Sequence, residues 1–353
     1  MPLRPMKLPG DFVPLIDMVA ETFQYPENPE WGIQADEHQD MTREMRVLKR
    51  LWPVFRVLQV LSPGLRDVFG GFVWEDAGKM VGVVLYERRG ANSWHISTVG
   101  VLPEFRGRGI ARQLVTQLVN ELRKRGGIQA TLGVIDRNVP AYSLYSSLGF
   151  ERYNHTVELD LTADRAPAIP ELPSGYVRED VRRSEGWRVQ YELDKQISPS
   201  RLTQYEPVVP GQYRAPAVLR AFLPIRRLMQ RREEKMILIR QEGSGNLVAW
   251  GAYNVPKRSG GVSTIQVRLD PQHPQLADCL VAHHLERVCA RSPGRRVTAN
   301  IPSWMPDVIH AAERYGFTRR VEVHYLGLML QEGAYELRES GTRERVSTAV
   351  ESA

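Results

Sequence analysis

Hydrophobic residues recur along the first part of the chain with spacings that predict a helical segment followed by strands. Five apolar positions at three- and four-residue intervals mark one helical face within residues 11–68. They are Met41, Met45, Leu48, Trp52 and Phe55. The stretch GGFVWEDAGKMVGVVLYERRG then predicts a β-hairpin whose turn lies at residues 75–78. The stretch SWHISTVGVL predicts a third strand, which ends at Pro103.

The pattern changes to a helical one soon after Pro103 and then alternates between strand and helix. A buried stripe at helical spacing comprises Leu114, Val115, Leu118, Val119 and Leu122. Basic residues follow at positions 123–125, where they suit the negative end of a helix, and Gly126 and Gly127 end it. IQATLGVI predicts another strand, and a short helix from near Asn138 to Gly149 precedes one more strand.

A second copy of this arrangement follows a proline-rich linker. The stretch NLVAWGAYNVPKRSGGVSTIQVRLDP echoes KMVGVVLYERRGANSWHISTVGVLP, and the spacings to the later Gly-Phe pairs agree within one residue. A repeat of about 167 residues is too long for a solenoid and predicts tandem domains. We predict a first domain at residues 1–162, a linker at 163–175, a second domain at 176–330 and a polar tail at 331–353.

Composition excludes several classes of protein. The 353 residues are 42% hydrophobic and 25% charged, which is typical of globular domains. We find no run of 18 apolar residues and no signal-peptide pattern, so we expect no membrane span. Cys279 and Cys289 are about 15 Å apart along one predicted helix, beyond disulfide reach, which favours a reduced, cytoplasmic protein.

The net charge of +6 makes anionic partners plausible without identifying one. Arginine is densest from Leu219 to Lys235, where acidic neighbours at helical spacing favour a solvated helix flank. Few aromatic residues interleave with these cations, which argues against a nucleic-acid partner. The sequence also predicts no metal site.

The segment Arg106-Gly107-Arg108-Gly109-Ile110-Ala111 stands where a strand passes directly into a helix. Glycines there leave backbone N–H groups accessible at a helix N-terminus, which makes a cradle for phosphate. It differs from a P-loop, since no Lys-Ser/Thr follows Gly109, and from a dinucleotide fingerprint, since Arg112 stands where glycine or alanine is needed. It also differs from a kinase glycine loop, which lies between two strands and not before a helix.

Two motifs resemble those of the GNAT acyltransferase superfamily. Arg106-x-x-Gly109-x-Ala111, after V-x-P-E-F, resembles its coenzyme A pyrophosphate loop. NVPAYSLYSSLGF, from Asn138 to Phe150, resembles its second motif at every marked position. The resemblance covers residues 1–160 well and the second half in outline. It implies an α/β (α+β) fold of two tandem GNAT-like domains, each with a mixed, splayed central sheet flanked by helices.

The resemblance also implies an N-acetyltransferase that uses acetyl-CoA. Amides on the strand before the loop would face the cofactor arm and the thioester, and one could stabilise the oxyanion. Transfer to the amine would be direct, with no enzyme nucleophile. The implied cofactor-binding residues are Val99, Val101, Arg106, Gly107, Arg108, Gly109, Ile110, Ala111, Asn138 and Tyr145.

Proton transfer has one implied acid and several candidate bases. Tyr145 fits the family position whose phenol protonates the departing thiolate, and Tyr142, three residues earlier on the same helix, is the alternative. His95 lies where some family members carry a catalytic glutamate, and an imidazole suits neutral pH. Glu87 is the second candidate base. Deprotonation through water needs neither residue.

The second copy departs from the motifs where chemistry would need them. Pro274, Ala277 and Cys279 align with Arg106, Gly109 and Ala111. Pro274 has no N–H, and no glycine opens the turn. Ala312 aligns with Tyr145. We therefore expect a degenerate second domain that walls the substrate pocket, forms a dimer face or stabilises the first.

The acyl acceptor stays open at the level of sequence. It is either a small-molecule amine or a peptide amine, meaning a protein N-terminus or a lysine. A groove open at both ends would favour a peptide, and a cleft closed by residues 36–40 or by the second domain would favour a small molecule. A non-catalytic acyl-CoA-binding regulator is the alternative from another class. A homodimer is possible.

Overall fold

The computed structural model describes residues 2–25, 27–32, 34–39, 68–90, 92–214, 231–257 and 261–331, and the single positions 46, 50 and 53. Three sequence predictions fall largely or wholly outside these residues. They are the helical face at positions 41–55, most of the arginine-dense stretch Leu219–Lys235, and the tail beyond residue 331. In the described part of the arginine-dense stretch the predicted helix flank is wrong, because residues 232–235 lie in a strand.

The first half alternates strands and helices in the order that the hydrophobic pattern predicts from residue 69 onward. Its elements are β1 (Leu3–Pro5), α1 (Phe12–Thr22), β2 (Phe69–Asp76), β3 (Lys79–Arg88), β4 (Ser93–Val101), α2 (Ile110–Lys124), β5 (Gln129–Ile135), α3 (Val139–Ser147) and β6 (Glu151–Ala163). The predicted hairpin is confirmed, with Ala77 and Gly78 at its tip, both at positive φ.

The second half repeats the same succession with more helices near its start. Its elements are β7 (Tyr176–Asp180), α4 (Gly186–Ile197), α5 (Ser200–Tyr205), α6 (Pro210–Tyr213), β8 (Arg232–Gln241), β9 (Leu247–Pro256), β10 (Ser263–Leu269), α7 (Ala277–Arg291), β11 (Arg295–Pro302), α8 (Pro306–Arg314) and β12 (Thr318–Met329).

Side-chain packing repeats along with the element order. The guanidinium of Arg125, just after α2, lies 5.5 Å from the ring of Tyr86 on β3. The guanidinium of Arg291, at the end of α7, lies 5.1 Å from the ring of Tyr253 on β9. The same pair of residue types therefore joins the helix to the same strand in both halves.

The two halves share one twelve-stranded sheet by exchanging their last strands. The strand order is β1-β2-β3-β4-β5-β12-β6-β11-β10-β9-β8-β7. β12 of the second half lies antiparallel to β5 of the first, and β6 of the first lies antiparallel to β11 of the second. The halves therefore cannot separate without breaking backbone hydrogen bonds on both sides of the exchange. The boundary at residue 162 stays a prediction about the sequence. In the structure, strands from both sides of that boundary pair within one sheet.

Helices cover both faces of the sheet and bury separate apolar clusters. α2 packs on one face of the first half, where Leu114, Leu118 and Leu122 are fully buried. α1 packs on the other face through Leu15 and Met18. α7 covers the second half on the α2 side, in the largest cluster. Among the described residues, no helix is both long and apolar enough to span a membrane.

Candidate active site

The loop between β4 and α2 begins with a 3-10 turn at Pro103–Phe105 and ends in two glycines with left-handed backbone. Gly107 has φ of 75° and Gly109 has φ of 74°, a region that strains any residue with a Cβ. An added Cβ would meet no atom within 4 Å at either position. Both glycines therefore serve the backbone path and an open concavity, rather than tight packing against the protein.

Backbone N–H groups line this loop without partners. The N–H of Gln113 donates to the carbonyl of Gly109 at 3.1 Å and is the first to be satisfied in α2. The six N–H groups from Gly107 to Arg112 reach no acceptor among the described residues. Six donors at a helix N-terminus, where the macrodipole is positive, form an anion-binding concavity.

The predicted set of amides, from Arg106 to Ala111, differs from this one at both ends, since Arg112 was not predicted and Arg106 is already bonded. The N–H of Arg106 donates to the carbonyl of Pro103 at 3.2 Å, inside the 3-10 turn. Its side chain is engaged as well, since Nε donates to the Val101 carbonyl at 3.1 Å and Nη2 to the Thr22 carbonyl at 2.8 Å. Arg106 thus fastens the loop to the end of α1.

The other arginines of the loop also contact the protein. Arg108 donates to the Glu104 carbonyl at 2.9 Å, and its guanidinium lies 4.9 Å from the Phe105 ring. Arg112 donates to Ser147 Oγ at 2.8 Å and links α2 to α3. Of these, Arg108 is exposed beside the glycines, so its cation adds to the positive field of the helix end.

A bulge and a splay open the sheet directly before the loop. Leu85 pairs with Thr98 and Tyr86 pairs with Ile96, so Ser97 is an extra residue in β4. β5 pairs with β4 only from Ser93 to Ile96, although β4 continues to Val101. The two strands therefore diverge over the last five residues of β4, which confirms the splayed sheet expected of the fold.

The amides of Val99 and Val101 face this gap. The N–H of Leu102 donates to the Val81 carbonyl at 3.0 Å and therefore points toward β3. Hydrogen-bonded pairs alternate along an antiparallel ladder, which turns the N–H groups of Val99 and Val101 away from β3. On the side away from β3, the neighbouring strand β5 has already diverged from β4. The strand therefore presents two donors to whatever enters the cleft.

Tyr145 is buried on α3, beneath the same region. Its ring packs edge-on against Phe150 at 6.0 Å, and its side chain is 6% exposed. Its hydroxyl has no hydrogen-bond partner among the described residues. Burial, and secondarily the nearby Tyr25 phenol, raises the pKa of Tyr145 well above its usual value. The phenol is consequently protonated at neutral pH and can donate a proton.

Two further residues of the second motif have structural partners. Asn138 caps α3, because its Oδ1 accepts a hydrogen bond from the Ala141 N–H at 3.3 Å. Its amide nitrogen then remains as a donor. Tyr142 lies with its ring 5.8 Å from the ring of His324 on β12, so it faces the exchanged strand and differs in surroundings from Tyr145.

The two candidate bases lie opposite each other on neighbouring strands, and they have unlike surroundings. His95 on β4 is mostly buried, and its Nδ1 lies 3.0 Å from Thr131 Oγ1. Burial, with the Arg89 cation, lowers the pKa of His95 to about 4, so the imidazole is neutral at pH 7. Glu87 is 42% exposed and accepts hydrogen bonds from Arg89 at 2.8 and 3.1 Å.

The second half brings to this face of the sheet polar residues that the sequence analysis did not identify. Gly327 pairs with Thr131, and a Cβ on Gly327 would lie 2.2 Å from the Tyr205 ring of α5. The next residue, Glu206, accepts a hydrogen bond from the Tyr153 hydroxyl at 2.5 Å. A second-half helix therefore lies over the sheet beside His95.

The segment before residue 40 is tied to the second half by partly buried ion pairs. Arg296 on β11 donates to Asp36 at 2.6 and 2.8 Å and to Glu37 at 2.8 Å. Arg320 on β12 lies 3.0 Å from Glu37 and also pairs with Glu158. Arginine presents its donors in a planar fork, so one such side chain can hold two carboxylates in place.

The corresponding loop of the second half is built differently. Its N–H groups are used internally, since His273 donates to the Asp270 carbonyl at 2.9 Å and Leu276 to the His273 carbonyl at 3.1 Å. Asp278 puts a carboxylate in the first turn of α7. The ladder between β9 and β10 runs without a bulge. Among the described residues, no group of three or more His, Cys, Asp and Glu side chains forms a metal site in either half.

Comparisons with known proteins agree with this geometry. Residues 34–150 match the model of the acetyltransferase (GNAT) family. A mycothiol acetyltransferase from Thermobispora bispora is 40% identical over 93 residues, which make up 25% of this chain and 32% of that protein. The match therefore spans about a third of the length of this relative.

Solved structures match over nearly the whole chain. A tandem GNAT protein from the clavulanic acid biosynthesis pathway has a TM-score of 0.62 at 17% identity and covers 93% of this chain and 98% of its own. A GCN5-related N-acetyltransferase from Sphaerobacter thermophilus has a TM-score of 0.62 at 14% identity, with coverages of 93% and 96%. At these identities the likeness shows the fold, which is that of a tandem GNAT protein.

Proposed function

We propose that residues 34–150, which belong to the GNAT acetyltransferase family, form the catalytic part of an acetyl-CoA-dependent N-acetyltransferase. The observation that carries the proposal is the run of six N–H groups from Gly107 to Arg112 that find no acceptor in the described part of the chain, placed beside a splayed strand that turns two more donors toward the gap. A diphosphate fits the first set, and an extended amide-bearing arm fits the second. Acetyl-CoA supplies the acetyl group as an activated thioester.

The strand donors act at the carbonyl that accepts the attack. The N–H groups of Val99 and Val101 are fixed by the β4 backbone and need no reorganisation. One of them donates to the arm, and the other stabilises negative charge as it develops on the thioester oxygen. The Asn138 amide nitrogen donates to the arm from the opposite wall. The amine attacks directly, so the chain needs no nucleophile of its own.

Tyr145 supplies the proton that the departing sulfur needs. Its phenol is protonated, is 6% exposed, and has no hydrogen-bond partner within the described part of the chain. General-acid assistance of this kind is worth about 10²–10⁴-fold. Tyr142 fits the role less well because its ring packs against His324.

His95 is the better placed of the two candidate bases. It is neutral at pH 7 and is held toward Thr131 on the face that α5 covers, whereas the Glu87 carboxylate is engaged by Arg89 at the surface. A pKa near 4 makes His95 a weak base, so deprotonation of the ammonium group through water, which needs neither residue, stays the alternative.

The second half acts as a wall of the acceptor site. Its own loop uses the N–H groups of His273 and Leu276 internally and places the carboxylate of Asp278, which is paired with Arg314, in the first turn of α7. The ion pairs from Arg296 to Asp36 and Glu37 hold the segment before residue 40 against the second half, and a cleft closed by that segment would favour a small-molecule amine over a peptide. The relative named a mycothiol acetyltransferase shares too short a segment to transfer its acceptor to this chain.

The experiment is a panel of amines and peptides incubated with acetyl-CoA and scored by release of free thiol. We expect turnover with a small amine and none with lysine-bearing or N-terminal peptides. The Tyr145→Phe variant is run alongside, with Tyr142→Phe as its matched control. Turnover with a peptide would mean that the acceptor is a peptide amine and not a small molecule. Tight acetyl-CoA binding without turnover across the panel would favour a regulatory role.

A further inference from the structure

Glu206, the residue after α5, places a carboxylate on the face of the sheet where His95 lies. The ring of Tyr205 rests on Gly327 of β12, and Gly327 pairs with Thr131 of β5. Thr131 Oγ1 in turn lies 3.0 Å from His95 Nδ1. Neighbouring strands are about 4.8 Å apart, so these contacts keep the end of α5 close to His95. A carboxylate of the second half therefore lies beside a candidate base of the first.

This carboxylate has a tyrosine partner but no cation. The Tyr153 hydroxyl donates to Glu206 Oε1 at 2.5 Å. The Tyr253 hydroxyl donates to Glu233 in the same way at 3.0 Å, but Glu233 also pairs with Arg291 at 2.5 Å. No nitrogen of a Lys, Arg or His side chain lies within 4 Å of Glu206 in the described ranges. Of the two tyrosine–glutamate pairs, that of Glu206 is the one left uncompensated.

The second oxygen of Glu206 is open to a ligand. Oε2 has no partner in the part of the chain that the structure describes, and it retains solvent-accessible surface on a half-buried side chain. Burial, and then the Glu206 carboxylate, raises the pKa of Tyr153 well above its usual value. Tyr153 consequently stays protonated and keeps donating to Oε1, while Oε2 remains for a donor from outside.

The charges around Glu206 compensate one another and leave its own unmatched. Arg89 pairs with Glu87 at 2.8 Å. Burial raises the pKa of Asp194 on α4, and the Arg268 cation on β10 opposes that rise. Arg268 also acts on Glu206, but less than on Asp194. These two cations therefore face three carboxylates, which leaves one negative charge in excess.

Three tyrosine rings lie beside this carboxylate. The Tyr153 ring centroid is 4.8 Å from that of Tyr205 and 6.3 Å from that of Tyr325 on β12. Tyr153 and Tyr205 are almost fully buried, and Tyr325 is half-buried. Ring faces attract cations and pack against apolar carbons. An uncompensated carboxylate beside such rings suits an ammonium group on a hydrocarbon stem.

We propose that Glu206 binds the ammonium group of the acceptor amine, and that Tyr153 holds the carboxylate in place for this contact. The inference rests on the proposed transferase function and names the residue that selects the acceptor as a cation. Glu206 acts in binding, before the ammonium group loses its proton to His95 or to water. The second half thereby supplies acceptor recognition to a reaction carried out on the first.

Binding of two small probes to the full chain without acetyl-CoA tests the contact apart from turnover. Benzylamine is a cation at neutral pH, and benzyl alcohol is a neutral molecule of similar size. Calorimetry should show benzylamine binding at least about tenfold more tightly, the value of one charge-assisted hydrogen bond. Glu206→Gln keeps an oxygen for Tyr153 and loses only the charge, so it should remove this preference. Glu233→Gln, the matched change in the other pair, should retain it.

Kinetics with the best amine of the panel gives a second readout. Glu206→Gln should raise KM for the amine about tenfold, while kcat and KM for acetyl-CoA change by less than about twofold. A loss of kcat without a change in the amine KM would contradict a binding role.

The two arms separate this inference from the transferase proposal. Equal binding of both probes, binding of neither, or a benzylamine preference that survives Glu206→Gln would overturn the contact. Turnover that depends on Tyr145 with an unchanged amine KM in Glu206→Gln would also overturn it and leave the transferase standing. A preference that depends on Glu206 in a chain that turns over no amine would support the cation contact and contradict the transferase.

Discussion

The carbonyl of Gly109 accepts the first backbone hydrogen bond of α2, from the N–H of Gln113 at 3.1 Å. Among the described residues, the six preceding N–H groups have no acceptor, and a glycine with left-handed backbone stands at each of the two points where the chain turns. The bond between these two residues marks where the helix's own hydrogen bonding begins, and so where water or a bound anion can supply the acceptors.

Gly109→Glu is expected to abolish acetyl-CoA binding, because it places a carboxylate in the anion site. Gly126→Glu is the matched control, since Gly126 lies at the other end of α2 with φ of 73° and open space around its Cβ. The two variants share the backbone strain, and only the first adds charge at the cradle. Calorimetry should show loss of binding for Gly109→Glu alone. Equal loss in both would mean that strain, and not the site, was responsible.

Tyr145→Phe is expected to lower kcat by about 10²–10⁴-fold while changing the affinity for acetyl-CoA little, because only the proton donor is removed. Tyr142→Phe removes the same atom one helical turn earlier and should retain kcat within a factor of about two. Steady-state kinetics with the best amine of the panel gives both values. The reverse pattern would assign the acid to Tyr142.

Arg106→Gln should loosen the end of α1, since the side chain joins the Thr22 and Val101 carbonyls. Loss of about 1 kcal/mol there corresponds to roughly fivefold faster amide exchange in the last turn of α1. Arg108→Gln, which removes the neighbouring exposed arginine, should leave that exchange unchanged. Hydrogen exchange resolved by mass spectrometry distinguishes the two variants. Similar exchange in both would mean that the Arg106 side chain does not stabilise the end of α1.

The free energy of unfolding should fall on acidification through His95. Its pKa is lowered to about 4 in the folded protein, so the unfolded chain binds the proton first, and stability is present above about pH 6.5 and is lost as the pH falls toward 4. Between pH 7 and pH 5 this amounts to about 2 kcal/mol. In urea unfolding, the free energy of unfolding of His95→Gln should decrease between pH 7 and pH 5 by that amount less than it does in the unmodified chain. His310→Gln, an exposed control, should behave like the unmodified chain.

Much of this site follows from short-range features of the sequence. Gly107 and Gly109 indicate the turn, the apolar stripe from Leu114 to Leu122 indicates the helix, and both are where the pattern puts them. Local backbone conformation and helix periodicity depend on neighbouring residues, so the sequence can predict them. The splay of β4 from β5 came from the resemblance to the family, and the bulge at Ser97 accompanies it.

The exchange of β6 and β12 could not be read from the chain. Alternating apolar residues show that a segment is a strand but not which strand lies beside it. The Tyr153–Glu206 hydrogen bond and the contacts of Arg296 with Asp36 and Glu37 depend on that exchange. The arginine side chains of the loop were likewise beyond prediction, because a motif does not say whether a guanidinium faces a ligand or a backbone carbonyl.

The number of acetyl-CoA molecules bound by one chain tests the central claim most directly. Within the described residues, the first half presents six N–H groups without an acceptor, while the second half has Pro274, which lacks an N–H, and the carboxylate of Asp278 at the start of α7. Calorimetric titration of the full chain should therefore saturate at one equivalent, and Gly109→Glu should reduce it to none. Two equivalents, or one that survives in Gly109→Glu, would contradict a single cofactor site in the first half.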